Sequence, residues 1–195
     1  MNGSICVPGR GPPRNARDVV TDATLPVPFP SVAGLHHYAY RCRDGEETRH
    51  FYEDVLGLPL VAAVAHDQVP STGDRHPYVH IFFALRDGSM LAFFDLFDGH
   101  TCVPDPATPP WVNHLALRVD GRIALESALE RLGREGIDTV GIVDHGWFDS
   151  IYFFDPNGIR LELVSVTASD AELADMAADA HRVLSNARTA NEVAL

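Results

Sequence analysis

The stretch VDHGWFDSIYFFDPNGIRLE, residues 143–162, decides how the rest of the chain is read. Residues 150–154 are apolar and aromatic, Asp155-Pro156-Asn157-Gly158 is turn chemistry, and 159–164 resumes a strand, so the stretch predicts a β-hairpin. Alternation along the second strand puts Arg160, Glu162 and Val164 on one side and Ile159, Leu161 and Leu163 on the other. The apolar side packs against the body, which turns Glu162 into whatever the sheet encloses. A carboxylate held there needs a partner, because an unpaired buried charge is costly.

Working outward, the hairpin is the end of a unit that occurs twice. The second copy reads strand 112–119, helix 123–135 closed by Gly136, strand 138–143, then the hairpin. The first reads strand 34–42, helix 44–56 closed by Gly57, strand 58–65, a polar loop over 66–76, then strands 78–85 and 90–96 around Arg86-Asp87-Gly88-Ser89. His36-His37-Tyr38-Ala39-Tyr40-Arg41 aligns with Asn113-His114-Leu115-Ala116-Leu117-Arg118, which sets His37 on His114. Asp87-Gly88-Ser89-Met90-Leu91-Ala92 aligns with Asn157-Gly158-Ile159-Arg160-Leu161-Glu162, which sets Ala92 on Glu162. The expected class is α+β: two βαβββ modules, 32–97 and 112–166, forming an open mixed β-barrel around a metal site. A proline-rich connector spans 98–111. A flexible N-terminal arm is expected over 1–31, and an added C-terminal helix lies within the tail 167–195, covering an edge or a homodimer contact.

Composition narrows the function. Of 195 residues, 46% are hydrophobic and 22% charged, a balance suited to a packed core. Fifteen basic against twenty-seven acidic residues give a net charge of −12 without a basic block, which argues against nucleic acid or an anionic membrane surface as partner. No stretch reads as a signal peptide or a bilayer span. The three cysteines, Cys6, Cys42 and Cys102, have no metal-type spacing and an odd count, so a cytoplasmic setting is expected.

Strand parity then selects a site. His37, Ala39 and Arg41 share a face, as do His114, Ala116 and Arg118, so His37 and His114 face the cleft with Glu162. Two imidazoles and one carboxylate on separate strands, with positions left open, suit non-haem Fe(II). Ala92 occupies the fourth symmetric position and cannot ligate. Asp95, three residues further on, faces away unless a bulge turns it. His36 reads as a surface or helix-packing histidine.

These residues resemble the vicinal oxygen chelate superfamily, over about 32–166. Val143-x-His145, then Ile151-Tyr152-x-x-Asp155-Pro156-x-Gly158-x-x-x-Glu162, is similar to the signature of type I extradiol ring-cleavage dioxygenases. The resemblance implies Fe(II), or Mn(II) or another divalent metal, at His37, His114 and Glu162, with a small catechol-like aromatic substrate and O2. Beside such a metal His145 would act as a proton carrier or as a hydrogen-bond donor near bound oxygen, and Tyr152 as a donor to a substrate oxygen. Larger ring-cleavage enzymes carry a further acid–base histidine where residues 90–96 have none; His66, His76, His80 and His100 are the candidates to replace it. Phe94, Trp147 and Phe148 are candidates to line an aromatic pocket, and 66–76 and 98–110 are loops long enough to close over it. The alternatives are a glyoxalase-like isomerase or lyase using a redox-silent metal, which would need a second acidic ligand, and a non-catalytic binding protein of the resistance type.

Overall fold

The computed structural model describes residues 31–101 and 107–192. The expected arm lies, but for Ser31, outside the described residues, and so do 102–106 of the connector. Each module folds as its own sheet. The first has β1 (His37–Cys42), β2 (Leu60–Gln68), β3 (Arg75–Ala84) and β4 (Met90–Asp95) in the order β1-β4-β3-β2. The second has β5 (Leu115–Arg118), β6 (Val140–Asp144), β7 (Phe148–Phe154) and β8 (Arg160–Val166) in the order β5-β8-β7-β6. In both, the first strand runs parallel to the last and the other pairings are antiparallel, as a βαβββ repeat demands.

The helices follow their signals. Asp44 caps α1 (Gly45–Arg49) by accepting from the Glu47 amide at 2.8 Å, and the helix widens into a π-turn (His50–Val55) before Gly57 leaves it at φ 75°. Helix α2 (Gly121–Arg134) ends at Gly136, φ 72°. Helix α3 (Asp170–Glu192) fills most of the tail; none of its described side chains joins the core, and Met176, Val183 and Leu184 are exposed. No described helix is long and apolar enough to cross a membrane.

The expected loop at 66–76 is shorter. Strands β2 and β3 extend into it and close through residues 69–74, placing His66 and His76 on strands. Its polar composition hid the continued pairing of His66 with Tyr78 and Gln68 with Arg75. Strand β2 lies at the sheet edge, almost wholly exposed despite its sequence LVAAVA.

One core joins the modules. Phe83, Leu91 and Phe93 from the first sheet and Ile151, Phe153 and Leu161 from the second meet around Phe51, Tyr52, Leu125 and Leu132 from the helices. The helix-facing sides of both sheets thus share one interior, and their opposite faces turn away from it. The DPNG turn seals the junction. Asp155, 5% exposed, accepts from the Asn157 and Ile159 amides at 2.9 and 2.7 Å and from the Tyr52 hydroxyl at 3.1 Å. Asn157, 1% exposed, accepts from the Arg43 amide at 3.0 Å and donates to Thr48 Oγ1 at 3.2 Å. Burial pushes the Asp155 carboxyl up, and burial followed by the Asp155 charge pushes the Tyr52 hydroxyl up. A turn that local chemistry would place in solvent is therefore a buried bracket between modules.

Candidate metal centre

The β5–β8 register sets Ala116 opposite Glu162, and the β7–β8 register sets Tyr152 opposite it, so the carboxylate lies mid-sheet with a small and an aromatic neighbour. His114, one residue before β5, brings its Nε2 to 3.0 Å from Glu162 Oε2. Its Nδ1 is 3.0 Å from the Val112 carbonyl, a partner that can only accept, so Nδ1 carries hydrogen and donates. In the neutral ring, Nε2 then offers a lone pair to a carboxylate oxygen. Two acceptors at that distance require a proton or a cation between them. Glu162 is 2% exposed, and its second oxygen, Oε1, is buried without a hydrogen-bond partner. The donor set and the orphaned oxygen fit a divalent cation held by His114 and Glu162.

The next groups stand on the same face. The Tyr152 hydroxyl is 2.9 Å from His145 Nε2, which is also 3.0 Å from Ser150 Oγ. His145 stacks on Phe148 at 4.5 Å between centroids, and its amide donates to the Phe148 carbonyl at 2.9 Å, so the β6–β7 turn fixes the ring. Burial, then the adjoining Glu162 carboxylate, pushes the Tyr152 hydroxyl above its ordinary value. Glu162, Tyr152 and His145 are thus contiguous, and a proton can pass between the last two. Ser150, fully buried, gave no signal in the sequence beyond its parity with Tyr152.

His37 lies elsewhere. It belongs to β1 of the first sheet, with Nδ1 2.7 Å from His36 Nδ1 and its ring 5.6 and 6.0 Å from Phe82 and His80. Among the described residues, no three His, Cys, Asp or Glu side chains group to hold a metal within one chain. The shared core accounts for this, since each ligand-bearing face points away from it. Ala92 is fully buried and registers with Ala39 and Phe82 on the His37 face. Asp95 stands on the helix side, accepting from the amides of Gly45 and Phe97, each at 2.8 Å, so strand parity holds there.

His80 separates from the other candidate histidines. Its ring stacks on Phe94 at 3.6 Å, its Nε2 is buried without a partner, and burial, then His37, lowers its pKa to about 4. An ordinary histidine binds its proton near 6.5, so between these values the unfolded chain holds more protons than the folded one. Stability of the metal-free chain should therefore fall as pH drops from about 6.5 to about 4. Urea melts across that range should flatten in His80→Phe; an unchanged slope would assign the loss to other groups.

Comparison with known proteins agrees with this architecture. The model of the glyoxalase/bleomycin resistance protein/dioxygenase superfamily matches residues 34–163, and the chain belongs to that superfamily. It is 28% identical over 137 residues to MhqA of Bacillus subtilis (strain 168), which carries the name of a ring-cleaving dioxygenase; the match takes in 69% of this chain and 40% of MhqA. It is 27% identical over 143 residues to glyoxylase I 4 of Arabidopsis thaliana, covering 68% of this chain and 70% of that one. Among solved structures, a glyoxylase/bleomycin resistance protein/dioxygenase domain from Frankia sp. EAN1pec superposes with a TM-score of 0.58 at 20% identity, over 70% of this chain and 99% of that one.

Proposed function

We propose that the chain is a non-haem, metal-dependent dioxygenase of the extradiol type, acting on a catechol-like aromatic with O2. The observation that carries this reading is the His114–Glu162 pair, with Nε2 directed at the carboxylate and Oε1 orphaned. His37 would complete the ligand set from a second copy of the chain, because its own chain does not group it with the other two. The long, exposed, apolar edge strand β2 favours such an association, since edges of that kind are normally covered. Fe(II), or Mn(II) in its place, would supply Lewis acidity toward paired oxygens and the redox chemistry for O2.

The chain's own residues do the rest. Tyr152 is placed to donate its hydroxyl proton to a substrate oxygen beside Glu162. His145, 2.9 Å away, is placed to replace the proton or to take it up. Anaerobic loading with Fe(II), followed by air and a panel of catechols, should give metal-dependent oxygen uptake and a ring-opened product. Isomerisation of a hemithioacetal with a redox-silent metal, without oxygen uptake, would replace this reading with a glyoxalase-like one. Such chemistry asks for a second acidic ligand, which Ala92 does not offer and which Asp95 offers only on the other face.

A further inference from the structure

Arg160 stands on β8 two residues before Glu162, on the same side of the strand. The β5–β8 register that pairs Leu115 with Leu161 brings position 114 alongside it, and the β7–β8 register pairs it with Phe154. Its guanidinium carbon lies 4.0 Å above the centre of the Tyr152 ring, so the arginine, the tyrosine, His114 and Glu162 surround one spot on the sheet. Nη1 donates to the Trp111 carbonyl at 2.7 Å. That bond aims the group and leaves other N–H donors of the fork for another acceptor.

The charge balance bears on this arginine. In a chain with twenty-seven acidic residues, a surface arginine readily finds a carboxylate. Arg41, Arg43, Arg49, Arg86, Arg122, Arg134 and Arg182 all do. Among the described residues Arg160, like Arg75, Arg118 and Arg131, forms no ion pair; of these four it is the one whose guanidinium stacks on Tyr152 beside the candidate centre. A second arginine, Arg118, shares the face, where it registers with Val164. A net charge of −12 repels anions at long range, so an anionic ligand needs a local cation of this kind to be held.

We propose that the substrate bears a carboxylate in addition to its paired oxygens, and that Arg160 binds that carboxylate and so determines specificity. This rests on the reading of His114 and Glu162 as metal ligands. A guanidinium fork matches a carboxylate in plane and spacing, and the Tyr152 ring beneath it limits the approach to one orientation. The paired oxygens then lie toward Glu162 and the carboxylate toward Trp111.

The test uses the full-length chain loaded with Fe(II) under anaerobic conditions and compares equilibrium binding of 3,4-dihydroxybenzoate, its methyl ester and catechol. Benzoate, which lacks the diol, is titrated against the loaded and the metal-free chain. The acid should bind about tenfold or more tightly than the ester, as charged hydrogen bonds commonly confer. Arg160→Met should erase that preference while leaving ester affinity in place, and Arg160→Lys should retain part of it through charge alone. Equal binding of acid and ester by the unaltered chain would overturn the inference while leaving the dioxygenase reading standing. If diols bind without dependence on metal while benzoate keeps its dependence on Arg160, the dioxygenase reading fails and the carboxylate site survives. Absence of binding by every probe overturns both.

Discussion

Alanine at His114 or at Glu162 is expected to abolish metal retention, whereas alanine at Asp95 leaves it unchanged. Glu162 is a buried carboxylate whose Oε2 faces an imidazole nitrogen and whose Oε1 has no hydrogen-bond partner, so either alanine removes half of a donor pair. Losing only an outer partner of a metal ligand commonly costs ~10–100-fold in affinity, and loss of the ligand itself should exceed that. Asp95 answers instead to the Gly45 and Phe97 amides, so Asp95→Ala should lower folding stability by about 1–3 kcal/mol without touching the metal. Metal content after gel filtration, read beside a urea melt, separates the two effects. Full metal in Glu162→Ala would remove the chemical basis of the proposed centre.

Mixing two inactive variants is expected to restore binding. His37→Ala and Glu162→Ala chains should each fail alone, but in a two-fold dimer that shares its sites the hybrid contains one intact His37–His114–Glu162 set and one doubly damaged set. Random mixing then returns about a quarter of the sites. The measurement is metal content after the two chains are denatured together and refolded. No recovery, with metal retained by unmixed wild-type monomer, would mean that one chain gathers its own ligands. Such a result would require the two sheets to abandon the core now shared by Phe93, Tyr52 and Phe153.

Much of this was legible from residue order alone. Period-two alternation around Glu162, the aligned His37 and His114, and turn residues at Gly88 and Gly158 reflect local chemistry, and each strand they predicted is present. Parity also placed Asp95 on the helix side and Arg160 on the face of Glu162. The misjudged segment was 66–76, where polar side chains concealed continued backbone pairing, because a ladder is made by main-chain groups. Nothing local marked Asn157 as buried, since its contacts with Arg43 and Thr48 join residues 114 and 109 positions apart.

By itself, then, the amino-acid order determined the duplicated unit, its strand faces and the chemical types of the candidate ligands, because these depend on neighbours a few positions away. Tertiary structure alone decided which ligand candidates meet. It set His114 on Glu162, Tyr152 on His145 and Arg160 over Tyr152, and kept His37 on a separate sheet. Those outcomes depend on how two apolar sheet faces close over a common interior, a property of the packed whole that alternation within one strand cannot encode.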